Sequence, residues 1–261
     1  MKKLLLFDGH NLLCKAFYGL PERLLPDGKP IQGVIGFLGI MIKIIKKVEP
    51  THILVVFDPE ETPARALSYE NYKGNRKNFN NVPEKENPFS QLADIKTALE
   101  NLGIKYLEQS GYEADDMIAS MAYRAKCEVI IVSTDTDFLQ MVDGRIKVFR
   151  YHGKKSIVFN EATVQEKYGI HPSRFIEYKA LVGDKTDNIK GIKGIGPKTA
   201  VRVINSQKKL TEEEQEIFQR NLDIIALDTR VKCAFSLNQL SFSRELAGFK
   251  LGEFLKTTGL I

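Results

Sequence analysis

Five carboxylates flank one apolar segment of this chain: Glu113, Asp115 and Asp116 in GYEADD before it, Asp135 and Asp137 in STDTDF after it. The intervening residues read as a helix, MIASMAYRAK, and then a strand, VIIVS. A helix followed by a crossover or antiparallel strand returns to its own starting edge, so all five acids can converge. Like charges a few ångströms apart in a poorly hydrated cleft repel strongly, and the simplest neutraliser is a divalent cation. The candidate ligands are all oxygens, with no Cys or His among them, which favours a hard ion such as Mg²⁺ or Mn²⁺ over Zn²⁺. Taken alone, Glu113, Asp115 and Asp116 also suit a helix N-terminus, where acids complement the dipole. The second cluster tips the reading toward a metal centre.

The elements that must position these acids follow from hydrophobic periodicity. Apolar strands end at Phe7, Phe57 and Ser133, and each is followed within two residues by an acid: Asp8, Asp58 and Asp135. Helical patterns cover residues 11–20, 31–48 and 91–101, a further strand covers 104–108, and a hairpin is expected around 146–159. Alternating strands and helices predict a mostly parallel sheet whose functional crevice lies beyond the C-terminal ends of the strands. All three acids then face one crevice. A single Asp after a strand is usually a turn residue or cap; three in register with the cluster at Glu113 are harder to explain that way. Asn160 caps a helix to Tyr168, after which strand patterns stop. A boundary near residue 170 therefore separates an α/β part, 1–170, from an α-rich part, 171–261.

Two segments add cations. Residues 59–89 are polar and interleave Arg65, Lys73, Arg76, Lys77 and Lys85 with Tyr69, Tyr72 and Phe79. Such a stretch is too long for an ordinary connection. Its composition suits an element that holds phosphates and stacks bases, a solvated loop being the alternative. In LVGDKTDNIKGIKGIGPKTA, residues 181–200, Asp184 and Asp187 are spaced to share one face of a helical turn and to add two ligands. Gly191, Gly194 and Gly196 then alternate with Lys190, Lys193 and Lys198, before Thr199. Glycines let a backbone approach a phosphate, and free N–H groups before a helix bind one. Pro197 breaks P-loop spacing and no strand precedes it, which excludes an NTPase. The segment reads as a clamp on a duplex backbone, a purely structural glycine turn being the alternative.

Composition bounds the class. With 261 residues, 43% of them hydrophobic, the chain can bury a substantial core. Its longest uncharged apolar run, residues 31–42, is too short to span a bilayer. The N-terminal MKKLLLF stops at Asp8, short of a signal-peptide apolar region, so a cytoplasmic protein without membrane association is expected. Three dispersed cysteines form no CxxC pair and suggest neither disulfides nor zinc. A net charge of +5 beside so concentrated an acidic cluster puts basic excess elsewhere and points to a polyanionic partner.

Over essentially its whole length the chain resembles the 5′ nuclease family, the flap endonucleases and the nuclease domain of bacterial DNA polymerase I. The motifs that carry the resemblance are FDGHN, VVFDP, GYEADD, STDTDF and GDKTDNIKGIKGIGPKTA. It implies a SAF/PIN-like α/β core, with a mostly parallel central sheet between helices and an arch at about residues 62–90. It also implies an α-rich C-terminal part with a helix-three-turn-helix at residues 189–204, which in the family grips duplex DNA through a monovalent cation such as K⁺. The implied activity is Mg²⁺- or Mn²⁺-dependent 5′–3′ exonuclease and 5′ flap endonuclease action on DNA, in replication and repair. The metal ligands would be Asp8, Asp58, Glu113, Asp115, Asp116, Asp135, Asp137, Asp184 and Asp187. Of these, Asp8, Glu113, Asp115, Asp116 and Asp135 form the expected inner set, serving two ions roughly 3.5–4 Å apart.

Lys73 and Arg76 would meet the scissile phosphate, while Lys15, Tyr72, Lys190, Lys193, Gly194, Gly196, Lys198 and Thr199 would contact nucleic acid. Lys15 stands where the family often has Arg, losing a bidentate fork, and Lys190 where Pro is usual. The terminal FLKTTGLI is similar to the end of a nuclease domain. The expectation is a stand-alone monomer working beside a separate DNA polymerase, with no polymerase or proofreading part. Two other classes remain: a small-molecule phosphohydrolase, which lacks the acid expected two residues after Asp8, and an idle DNA-binding module, which the full carboxylate set opposes. Asp135→Asn should nearly abolish cleavage while leaving DNA binding intact or tighter, because it weakens ion binding yet lessens phosphate repulsion. Wild-type turnover by this variant at saturating Mg²⁺ in a nuclease assay would overturn the metal assignment.

Overall fold

The structure is a computed structural model that describes residues 2–59, 69, 72–74, 77–79, 81–243 and 252. Arg65 and Arg76, expected on the arch, lie outside the described residues. Strand β1 (Lys3–Asp8) is buried from Leu4 onward and runs parallel to β2 (His52–Val56) on one side and β4 (Glu128–Val132) on the other. Beyond these, β3 (Lys105–Leu107) and β5 (Ile146–Arg150) extend the parallel sheet, and β6 (Ile157–Phe159) closes one edge antiparallel to β5. The expected hairpin is therefore present.

Because successive side chains of a strand point to opposite faces, the run LLLF in β1 feeds two cores at once. Leu5 and Phe7 face α1 (Gly9–Gly19), α2 (Gln32–Val48) and α3 (Leu92–Asn101), meeting Leu13, Phe37, Met41 and Ile95. Leu4 and Leu6 face α4 (Ala114–Arg124), meeting Met117, Ile118 and Phe138. Strands covered on both faces read as unbroken apolar runs, which is why periodicity places β1, β2 and β4 correctly. Among the described residues no helix is long and apolar enough to cross a membrane.

After α5 (Glu161–Tyr168), capped by Asn160 as expected, come α6 (Phe175–Val182), α7 (Pro197–Ile204) and α8 (Glu212–Ile225). Between α6 and α7 the expectation of a helical turn carrying Asp184 and Asp187 is corrected. The chain forms a two-residue antiparallel pair, β7 (Gly183–Asp184) with β8 (Ile189–Lys190), and Asp187 lies in the turn joining them. Asp184 Oδ1 accepts the N–H groups of Thr186 (2.7 Å) and Asp187 (3.3 Å), a local bond that competes with helix.

Gly191 is likewise structural rather than phosphate-facing. A Cβ there would sit 2.2 Å from the Val182 carbonyl oxygen, and one on Gly183, whose φ is +85°, would sit 2.3 Å from the Gly191 nitrogen. Asn221 of α8, fully buried, donates to the Ala180 (2.8 Å) and Lys190 (2.9 Å) carbonyls and ties this hairpin to both helices. Gly183→Ala should cost about 3 kcal/mol or more in urea unfolding, combining a disfavoured φ with a backbone clash. Gly19→Ala, with open space around it at the end of α1, should be neutral or stabilising by up to about 1 kcal/mol. Equal effects of the two substitutions would refute this contact as the reason for the glycines.

Candidate active site

The C-terminal ends of β1, β2 and β4 deliver Asp8, Asp58 and Asp135 to one crevice, and the N-terminus of α4 delivers Glu113 and Asp115 to it. Asp8 caps α1, accepting the Asn11 N–H at 3.1 Å and the Ser133 hydroxyl at 2.7 Å. Asn11 in turn clasps Thr134, donating to its Oγ1 (2.8 Å) and accepting its N–H (2.9 Å), so the ends of β1 and β4 are held together. Asp58 accepts the Ala114 N–H at 2.8 Å, which ties β2 to the start of α4. His10 Nδ1 accepts the Asp58 N–H and lies 3.2 Å from Asp58 Oδ2. Asp135 Oδ1 accepts the Asp137 N–H at 2.8 Å. One oxygen of Asp116 accepts the Asp228 N–H at 2.8 Å, and Asp116 and Glu113 together line a cleft of about 510 Å³ that also includes Asp223, Asp228 and Arg230.

The electrostatics of this crevice are those of an overcharged site. Burial, then Asp58, pushes the Asp8 carboxyl up to about 7. Burial, then Asp135 and Asp8, pushes Asp115 well above the usual carboxylate range. Burial also works against Asp58, but His10, the Ala114 N–H and Lys73 together outweigh it and hold that carboxyl below its ordinary value.

A second group forms where the short 3₁₀ turn after β4 meets the β7–β8 turn. One carboxylate oxygen from each of Asp137, Asp184 and Asp187 lies within 4.8 Å of the others. The Lys179 ammonium, only 5% exposed, pairs with both Asp137 and Asp184. Burial raises the Asp184 carboxyl, yet Lys179 and two N–H bonds more than offset this and hold it low.

Of the arch residues, Tyr72 is corrected. It is buried rather than offered to bases, and its hydroxyl donates to Glu113 Oε2 at 3.1 Å. Lys73, with φ +55°, gives its N–H to the Asp187 carbonyl (3.0 Å) and its ammonium to Glu113 Oε1 (2.5 Å). In the clamp segment Lys190, Lys193, Gly194, Gly196 and Lys198 are exposed and Thr199 is half-buried. Gly196 is the N-cap of α7 with no side-chain cap, leaving the first turn of that helix to other acceptors. Lys15 is set apart from the carboxylates, in a cleft of about 760 Å³ whose lining also includes Lys43, Lys46 and Tyr151 and no acid.

Two family models cover nearly the whole chain. One, described as 5'-3' exonuclease, N-terminal resolvase-like domain, matches residues 3–169, and the other, 5'-3' exonuclease, C-terminal SAM fold, matches residues 170–251. The chain belongs to the 5'-3' exonuclease family. This family member is 36% identical over 226 residues to a 5'-3' exonuclease of Aquifex aeolicus, covering 84% of this chain and 75% of the relative. It is also 36% identical over 250 residues to the thermostable DNA polymerase I of Thermus aquaticus, covering 94% of this chain but 28% of the polymerase. It therefore spans little more than a quarter of the polymerases it matches.

Among solved structures, the zinc-bound T5 5'-exonuclease superposes with TM-score 0.69 at 21% identity, covering 100% of this chain and 99% of that one. Flap endonuclease-1 from Methanococcus jannaschii gives 0.61 at 21% identity, covering 99% and 90%. At such identities the likeness is one of fold: a mostly parallel sheet between helices with a helical C-terminal part.

Four residues of the candidate site escape motif reading: Ser133, Asn11 as a strand clasp, His10 and Lys179. Lys179 alone leaves a sequence trace, a lysine inside the largely apolar FIEYKALV of α6. Whether the site suits a divalent ion is answered by its own charge. Asp8, Asp58, Asp115 and Asp135 oppose one another in a buried crevice with only oxygen donors, the setting that a hard cation relieves.

The Asp8 shift gives a sign. Because the folded state keeps a proton that the unfolded state has lost between about pH 4 and about 7, metal-free stability should fall as pH rises through that window, by up to about 4 kcal/mol. Asp8→Asn should flatten this slope and be the more stable protein at pH 8 in urea unfolding with EDTA. A variant less stable than wild type at pH 8 would contradict the assignment.

Proposed function

We propose that this chain is a structure-selective 5′ nuclease that hydrolyses phosphodiesters in DNA, as 5′–3′ exonuclease and 5′ flap endonuclease, with Mg²⁺ or Mn²⁺. The observation that carries this reading is the upward-shifted pair Asp8 and Asp115 in an all-oxygen crevice, a charge state that makes sense for a centre built to hold cations. The residues that would hold them are Asp8, Asp58, Glu113, Asp115 and Asp135 in one group and Asp137, Asp184 and Asp187 in the other. Asp116, one oxygen of which is held by the Asp228 amide, adds to the first group beside Glu113. When bound, a pair of divalent ions supplies acidification of the attacking water and neutralisation of charge at the scissile phosphate.

The protein's own part is to orient and to bind. Asn11 and Ser133 keep Asp8 aimed into the crevice, and His10 and the Ala114 N–H keep Asp58 there. Lys73, with Arg76, stabilises charge on the reacting phosphate, and these cations matter most in the transition state. Lys190, Lys193, Gly194, Gly196, Lys198 and Thr199 grip duplex backbone at the α7 N-terminus, with a monovalent cation such as K⁺ as an added bridge. Lys15, in its own basic cleft with Lys43 and Lys46, binds phosphates away from the carboxylates. In this division of labour residues 1–170 carry most of the cutting centre, and residues 171–261 hold the duplex and add Asp184 and Asp187 to that centre. The protein works as a cytoplasmic monomer, in replication and repair, alongside a separate DNA polymerase.

End-labelled flap, nicked and single-stranded DNA, each incubated with and without Mg²⁺, test the reading. Release of 5′-phosphate products from flap and nicked DNA only with the ion is expected, and binding without any release would mean an idle DNA-binding module. Gly196→Glu should weaken duplex binding by about 1–3 kcal/mol and raise KM more than it lowers kcat, since bulk and negative charge are added far from the carboxylates. Equal losses on duplex and single strands would remove the clamp from the proposal.

A further inference from the structure

Two lysines stand where cations belong. Lys179, rooted in α6 and 5% exposed, places its ammonium between Asp137 and Asp184, inside the three-carboxylate group whose oxygens lie within 4.8 Å of one another. Lys73 places its ammonium on Glu113, 2.5 Å from Oε1, while Tyr72 donates to the other oxygen at 3.1 Å. Among the described residues each group of carboxylates therefore includes an ammonium of the chain's own. The backbone links the two pairs, for the Lys73 N–H bonds the carbonyl of Asp187, which belongs to the Lys179 group.

We infer that Lys73 and Lys179 are resident counter-ions of the metal-free centre, displaced by divalent ions and thereby released to bind substrate phosphate. This rests on the metal-dependent reading above. A buried carboxylate group without a cation would be strongly destabilising, so a tethered ammonium lets the protein fold before any ion arrives. The same oxygens cannot fully serve both an ammonium and a divalent ion, so ion entry competes with the lysines. An ammonium on a flexible four-carbon stem can swing away, and once displaced it needs a new anion, which the scissile phosphate supplies. Ion binding and phosphate binding then favour each other, with equal coupling in both directions. Lys179 thus acts as a positioning residue for the second carboxylate group in the empty state.

The test needs neither DNA nor turnover, so its failure is separable from failure of the nuclease reading. Wild-type protein is labelled by reductive dimethylation in EDTA and in saturating Mn²⁺, with isotopically distinct reagents read by mass spectrometry. Labelling of Lys73 and Lys179 should rise at least about fivefold with Mn²⁺. Lys147, paired with Glu128 at 2.9 Å away from the crevice, should stay constant. Unchanged or reduced labelling of Lys179 overturns the inference, and a rise at Lys179 alone overturns the part that concerns Lys73. In calorimetric titration, Lys179→Met should bind Mn²⁺ about tenfold or more tightly than wild type, whereas a structural or purely metal-supporting lysine would give equal or weaker binding. If that variant does not fold without metal, the wild-type labelling decides.

Discussion

Mutual repulsion among buried carboxylates is the constraint on which the rest of this structure depends. Asp8, Glu113, Asp116, Asp137 and Asp187 are all less than a tenth exposed, and carboxylates rarely accept that burial without partners. Asp8, Glu113, Asp116 and Asp137 are held by specific donors: the Asn11 and Asp228 amides, the Ser133 and Tyr72 hydroxyls, and the Lys73 and Lys179 ammonium groups. Where donors and cations are sufficient, as at Asp184 and Asp58, the carboxyl is held in its charged form. Where they are not, at Asp8 and Asp115, the carboxyl is pushed toward its neutral form. The uncompensated remainder is the driving force for binding a cation.

The scaffold meets that constraint by making the acids properties of rigid element ends rather than of loops. A parallel sheet sends three strand termini to one edge, and its double apolar cover leaves little freedom to β1, β2 or β4. The second acidic group is built differently, on a tight hairpin that exists because Gly183 and Gly191 let two backbones touch. Its position relative to α6 and α8 is set by Asn221, whose amide satisfies carbonyls of α6 and β8 at once.

The helical part also supports Tyr69 and Tyr72. Tyr72 is buried against Ala180, Ile189 and Ile225, with Tyr69 beside them under the guanidinium of Arg220, 5.5 Å from its ring. Arg220 and Asn221 are neighbours on α8, so one helix contacts both the hairpin that opens the clamp segment and the residues that cover Glu113. Any shift of α8 on the α/β part would be felt at both places.

The sequence by itself determined the parallel sheet, the strand ends that carry Asp8, Asp58 and Asp135, and the acid-led start of α4. These rest on local signals, continuous apolar runs and the break where each run meets an aspartate. It also determined the family, through a set of acid-bearing motifs spread from Asp8 to Asp187. Only the tertiary structure decided that Asp184 and Asp187 sit on a β-turn, since the clash that requires glycine at 183 and 191 arises between backbones that meet only after folding. The same holds for Tyr72, whose composition matched a base-stacking surface but whose ring found an apolar pocket on α8 and whose hydroxyl found Glu113. Lys179 left only a faint trace for a related reason: a lysine in a short helix is usually solvated, and its role depends on two carboxylates, of which Asp137 lies 42 residues away in the chain. Local patterns encode which face of an element is buried, but the partner of a buried charge is a long-range fact.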